Sequence, residues 1–171
     1  KPYLEDFGTA SPFTTASGKI QLFSHELALA GLDPLPVYEA TDEPPPGFFR
    51  LLYGRHPVHT FAKTQNTPLL SELYPENELW INEAVATQAG LKPTDRVLLE
   101  NQDGARSGPI KLKITQRMHP TAVFMAHGFG RNAPLLTQAN GKGASDVLLQ
   151  TSYKLDPISG GAGLGNNFVR I

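Results

Sequence analysis

Cysteine is absent from this 171-residue chain, which excludes disulfides, thiolate metal sites, iron–sulfur ligation and cysteine nucleophiles from it. No apolar run approaches the roughly 18 residues of a membrane-spanning helix, and the opening residues do not read as a secretory leader. Charge is sparse: charged residues make up 18% and the net charge is −1. Neither a nucleic-acid surface nor direct membrane contact is therefore expected. Apolar residues at 40% argue against disorder. The length suits one well-cored domain with an extra arm.

Turn-forming residues are abundant, with 16 Gly and 15 Pro, and they point to an irregular, mainly β architecture with short helices. The chain opens on Lys1-Pro2 rather than Met, so a piece of a longer protein is expected, whose targeting signal would lie upstream. Residues 1–13 read as an arm. Residues 14–24 carry a turn at Ser17-Gly18 and then the alternation of a half-buried strand at Ile20 and Leu22. Ser24 is placed to cap a short helix that ends before Gly31. Residues 33–47 hold five prolines and four acidic residues, an extended linker. These features divide the chain into an arm and linker, 1–47, and a main domain, 48–171.

The main domain is organised around residues 48–70. Phe48, Phe49, Leu51, Leu52 and Tyr53 read as a buried strand broken by Gly54. A dense polar loop follows, with Arg55, His56, His59, Thr60, Lys63, Thr64, Gln65 and Asn66, and such loops on an apolar scaffold are where binding residues sit. Further on, residues 79–81 read as a strand, Asn82 as the cap of a helix over 83–89 ending at Gly90, 96–101 as a strand, Asp103-Gly104 as a hairpin signal and 109–115 as its return. A strand over 122–125 runs into the glycine-opened His127-Gly128-Phe129-Gly130. A long loop covers 131–142, a short apolar segment 147–149, a glycine-rich excursion 156–165 and a closing strand 167–171. About six strands with one short helix suggest a small closed barrel, since closure removes exposed edges.

The ordered set SGKIQLFS, GLDPLP, GRHPVHT, LWINEAVATQAGLKPTDRVLLENQDG, HGFG, DPISGG and FVRI resembles the C-terminal domain of molybdopterin oxidoreductases of the DMSO reductase family, most of all polysulfide and thiosulfate reductase catalytic subunits. The resemblance implies a six-stranded double-psi β-barrel that closes over molybdenum bis(molybdopterin guanine dinucleotide). It implies a larger enzyme subunit in which the redox centre lies in upstream domains, so that this chain carries no catalytic residue, no metal ligand and no turnover of its own. Upstream domains of the same subunit, an iron–sulfur electron-transfer subunit and a membrane-anchor subunit are the implied partners, and a periplasmic location is the implied compartment. The loop after the first barrel strand is the implied pterin and phosphate contact, which falls on Tyr53, Gly54, Arg55, His59 and Thr60. Gly54 would let the backbone approach a pyrophosphate, and Arg55 and Thr60 would supply donors. The resemblance adds Asp146 and the pair Asn166 and Asn167. An aspartate at 146 suits the N1–H and N2 amine of a guanine and would repel a phosphate.

Plainer readings stand beside these. His56 and His59 have a metal-like spacing without an evident third ligand. Arg55 reads equally as a solvated loop cation. His127 reads either as a cap on a strand-end turn or as a cofactor contact. The glycine run 160–165 lacks the dinucleotide spacing and reads as a flexible loop. Trp80 reads as barrel core or as surface covered by a neighbouring domain. Pyruvoyl-dependent catalysis on such a barrel would require a Gly-Ser cleavage site, and the chain contains neither Gly-Ser nor a G-x-S-x-G elbow. The alternative is a non-catalytic recognition or adaptor module of the same fold, which would present an exposed apolar patch in place of a polar, anion-accepting concavity.

Overall fold

The computed structural model describes residues 13–35, 37–163 and 165–171. Contacts divide the chain between Ala40 and Thr41. The arm expected over 1–13 lies, apart from Phe13, outside the described residues.

In the first unit Ser24 caps helix α1 (His25–Leu29), its side chain accepting from the Leu27 amide, and Gly31 takes the left-handed conformation that follows a helix end, φ +74°. The strand expected over 14–24 does not form. Ile20 and Leu22 are 67% and 77% exposed, so alternation alone has no partner strand to complete it among the described residues of this unit.

The second unit is mainly β. Its strands are β1 (Phe49–Gly54), β2 (Glu78–Asn82), β3 (Arg96–Val97), β4 (Glu100–Asn101), β5 (Ile110–Thr115), β6 (Ala122–Ala126), β7 (Lys154–Leu155), β8 (Ala162–Gly163) and β9 (Phe168–Arg170). Helices α2 (Pro68–Leu73) and α3 (Glu83–Gln88) are short, with Pro68 in the first turn of α2 and Asn82 capping α3 through the Ala84 and Val85 amides. The expectation of one short helix missed α2, whose start is marked only by Thr67-Pro68.

Seven strands form one sheet in the order β3-β5-β2-β6-β1-β9-β4. The strand expected over 96–101 is two pieces, because β3 pairs with β5 whereas β4 pairs with β9 at the opposite edge. Only Leu98 and Leu99 separate them. Two edges joined by two residues cannot stand about 29 Å apart, as six interstrand steps of a flat sheet would require. The sheet is therefore curled. Its concave side holds Leu51, Leu79, Ile81, Leu99, Ile110, Leu112, Val123, Met125 and Val169, and each such fully buried side chain contributes about 1.5–3 kcal/mol.

Two smaller expectations also change. Gly54 does not break the first strand but ends it, pairing with Ala126. The excursion at 156–165 is bounded by the hairpin β7–β8, whose turn is tied by Asp156 Oδ1 accepting from the Ile158 and Ser159 amides.

Candidate functional site

Strands β1 and β6 run parallel over five residue pairs and finish together, Gly54 against Ala126. The next amide, His127 N–H, donates to the Gly54 carbonyl at 2.8 Å. The loops that follow, 55–67 and 127–146, consequently leave the sheet side by side. Asn66 links them, its Oδ1 accepting from the Gln138 and Ala139 amides at 2.8 and 3.2 Å.

The first loop presents a cation on an aromatic plate. The Arg55 guanidinium carbon lies 4.1 Å from the Phe61 ring centroid, and the same ring meets His127 edge-on at 5.9 Å. Phe61 holds this place at φ +46°, alone among the described non-glycine residues in that region, a strain of about 1–3 kcal/mol that its surroundings must offset. Gln65 helps, donating from Nε2 to the Phe61 carbonyl.

The second loop depends on glycine in a strict sense. A Cβ on Gly128 (φ +101°) would lie 2.6 Å from the Phe61 carbonyl oxygen, and one on Gly130 (φ +75°) 2.2 Å from the Ser145 nitrogen. Gly54 is not of this kind: a Cβ there would meet Phe124 at 3.4 Å, ordinary contact. Close approach of backbones thus occurs at His127–Gly130. Asn77, fully buried, ties the two sides of this turn, donating to the carbonyls of Ala126 (2.7 Å) and Ala144 (2.9 Å) and accepting from the Ala144 amide (2.9 Å).

At the centre stands Asp146, fully buried. Its Oδ2 accepts from His127 Nδ1 at 2.8 Å and from Gln150 Nε2 at 2.7 Å, while Oδ1 is buried without a partner. The His127 side chain is 26% exposed. Tyr53 lies within the field of this carboxylate; burial first, and then the Asp146 charge, push its phenol above the usual range. Gln65 Oε1 is a second buried oxygen without a donor, and its amide abuts Gly128 on the other side. Two acceptors lacking donors therefore flank His127-Gly128, with the Arg55 cation beside them.

The residues expected from the sequence divide into two sets. Tyr53, Gly54, Arg55, His127 and Asp146 come together at the end of β1 and β6. His59 is buried behind them, with Nε2 2.8 Å from the Tyr74 carbonyl and Nδ1 3.2 Å from Thr64 Oγ1. A carbonyl only accepts, so Nε2 carries the proton, and both ring nitrogens are used by the fold. Thr60 is exposed and its amide donates to Thr64 Oγ1. Asn166 donates to the Gly163 carbonyl. Asn167 is buried, accepting from the Thr151 and Ser152 amides and donating to the Ser152 carbonyl, so it holds the segment that follows Gln150. His56 stacks on Tyr74, centroids 3.6 Å apart, and no cluster of three metal-ligating side chains occurs among the described residues. Phe61, Asn77 and Gln150 complete the site without having been singled out from the sequence, and Gln65 and Asn66 join it from the polar loop. Asn77 takes its role from backbone 49 and 67 residues away, whereas Gln150 reaches Asp146 only four residues back.

The model of the molydopterin dinucleotide binding domain matches residues 49–168, which contain this site. The thiosulfate reductase molybdopterin-containing subunit PhsA of Salmonella typhimurium is 34% identical over 145 residues, covering 80% of this chain and 18% of that protein. The dimethyl sulfoxide reductase DmsA of Escherichia coli is 29% identical over 186 residues, covering 100% of this chain and 22% of that protein. Among solved structures, acetylene hydratase from Pelobacter acetylenicus superposes with a TM-score of 0.71 at 19% identity, over 94% of this chain and 24% of that one. The chain thus spans about a fifth of the length of the curated relatives it matches.

Proposed function

The chain belongs to the molydopterin dinucleotide binding domain family, and we propose that it is the cofactor-gripping module of a larger molybdoenzyme subunit that reduces inorganic sulfur compounds. Asp146 carries this reading. A fully buried carboxylate with one oxygen lacking a donor is costly on its own, about 1–3 kcal/mol for the unmet acceptor, and a ligand rich in N–H groups that parts the covering loops to reach it would offset that cost.

The residues present fit molybdopterin guanine dinucleotide. Pterin and guanine both carry an amino-lactam edge of N–H donors, which matches the bare oxygens of Asp146 and Gln65. A pyrophosphate needs cations and close backbone, which Arg55 and the glycines of the 127–130 turn offer. Thr60, His59, Asn166 and Asn167 have supporting places in this reading: Thr60 as an exposed hydroxyl at the rim, the other three as residues that hold the loops. When bound, the cofactor would supply a metal centre for two-electron chemistry. This chain's side chains would bind and orient the pterin and exclude water, with His127 held in one orientation by Asp146.

For the architecture, we read β3 and β4 as one strand that changes partner midway, which makes six strands around a closed double-psi barrel. Thiosulfate or polysulfide is the substrate class suggested by the likeness to thiosulfate reductase. Upstream domains of the same subunit, an electron-transfer subunit and a membrane anchor follow as proposed partners. The adaptor reading has one observation on its side, a half-buried apolar row on the convex face of the sheet. That row lies beside the Asp146 site and does not account for it.

The test uses the full-length subunit. Molybdenum and pterin per polypeptide are measured for the natural protein and for Arg55→Ala. A lowered content in the variant is expected, and the 171-residue chain alone should reduce neither thiosulfate nor polysulfide from a reduced dye. Full cofactor content in Arg55→Ala would remove Arg55 from the site, and turnover by the isolated chain would overturn the module reading.

A further inference from the structure

One row of side chains crosses four adjacent strands on the convex face. Leu52 on β1 stands opposite Phe124 on β6, Phe124 opposite Trp80 on β2, and Trp80 opposite Lys113 on β5. The Trp80 and Phe124 rings meet edge to face at 5.5 Å, and the Lys113 ammonium sits 4.2 Å from the Trp80 ring centroid. With Pro57, Met118, Arg55, His56 and Arg117 the row lines an open groove of about 440 Å³. The outer face of a half-buried sheet is ordinarily polar. A contiguous apolar strip there marks a surface that something covers.

The polar groups around the groove are almost all donors. Arg55 and Arg117 have no carboxylate partner among the described residues, and Lys113 has only Glu78 at 4.0 Å. His56 Nδ1 accepts from the Val58 amide at 3.3 Å, so its neutral ring carries the proton on Nε2. The Trp80 indole nitrogen is buried without an acceptor. The complement of such a face is apolar with carboxylates at its edge. Its extent favours a macromolecular surface over a small anion, since three interstrand steps span roughly 14 Å. Relatives of this chain match it over only 18% and 22% of their own length, so each has several times as much chain again from which such a surface can come.

We infer that the Leu52–Phe124–Trp80–Lys113 row is the seat of an apolar, carboxylate-edged surface from the rest of the same subunit, with Lys113 and Arg117 pairing to its acids. This rests on the reading of the chain as a module of a larger subunit and is independent of whether Asp146 touches cofactor.

Lysine acetylation followed by peptide mass spectrometry tests it without any substitution. Lys113 is expected to react about tenfold or more slowly in the full-length subunit than in the isolated chain, the protection that burial of a half-exposed ammonium gives, and equally slowly in subunit prepared in cells unable to make pterin. Equal rates in subunit and isolated chain would overturn the inference. Protection that appears only with cofactor bound would also overturn it, by making the groove a cofactor contact. A dimer of the isolated chain in sedimentation, dissociated by Lys113→Glu, would assign the face to a second copy instead. Finally, Arg117→Glu should leave the melting temperature of the isolated chain nearly unchanged, since exposed charges contribute little, while increasing tryptic release of this module from the subunit. Unchanged release would count against the inference.

Discussion

Asn77 and Ala144, 67 residues apart in sequence, grip each other twice: the Asn77 amide donates to the Ala144 carbonyl and its oxygen accepts from the Ala144 N–H, both at 2.9 Å. A third bond from the same side chain reaches the Ala126 carbonyl at the end of β6. The side chain therefore fixes the distance between the strand that ends at the site and the segment that delivers Asp146. Asn77→Ala would strand three buried backbone groups, and a loss of about 3 kcal/mol or more is expected, read as a lowered urea midpoint. Asn77→Asp should be no better, because it removes both donations and buries a charge.

Glycine matters at Gly130 for two reasons and at Gly141 for one. Both have positive φ, +75° and +66°, but a Cβ at Gly130 would strike the Ser145 nitrogen at 2.2 Å whereas one at Gly141 meets nothing within 4 Å. Gly141→Ala should cost about 1–2 kcal/mol, the backbone term alone. Gly130→Ala should cost clearly more, because the two arms of the 127–146 loop must part to admit the methyl. Thermal unfolding of the two variants side by side checks the order.

The caps of α1 and α3, the strands β2, β5 and β6 and the bounds of the glycine-opened turn were all legible in the sequence, because each rests on local chemistry: a Ser or Asn before a helix, period-two alternation, an apolar run ending in glycine. The strand expected at Ile20 and Leu22 failed because alternation says nothing about whether a partner strand exists. Residues 96–101 read as one strand because the change of partner at Leu98-Leu99 leaves no local trace. At the site, family likeness singled out Tyr53, Arg55, His59 and Asp146, and the glycine-opened turn singled out His127; the ends of β1 and β6 bring all but His59 together. The two ring nitrogens of His59 meet the Tyr74 carbonyl and the Thr64 hydroxyl, pairings that leave no local trace in the sequence.

His56 provides a pH prediction. Burial first, then the neighbouring His59 and Lys113, lower its pKa from the ordinary histidine value of 6.5. A base with a lowered folded-state pKa takes up its proton more readily when unfolded. Stability is therefore full above about pH 6.5 and falls as pH drops from there toward the folded-state pKa, with a slope no steeper than one proton. His56→Phe keeps a ring against Tyr74 and should flatten this part of the profile. Urea midpoints at pH 5.5 and 7.5 for the two proteins test it; an unchanged difference would show that the slope belongs to another group.

What Asp146 does for the fold is separable from what it does for a ligand. His127→Ala removes one of the two donors on Oδ2, and with Oδ1 already bare the buried carboxylate should lose about 1–3 kcal/mol of its support. Asp146→Asn keeps the shape; Gln150 can turn its amide so that its oxygen accepts from the new NH2 group, and a neutral His127 can carry its proton on Nε2 so that Nδ1 accepts the second N–H. The isolated chain should then lose less than about 1 kcal/mol. A neutral amide oxygen is nonetheless a weaker acceptor for a ligand N–H than a carboxylate, so the full-length subunit carrying Asp146→Asn should retain less pterin than the natural one. Near-natural stability with reduced pterin content is the signature of an oxygen that faces the cofactor; near-natural stability with full pterin content would mean that Oδ1 faces only protein.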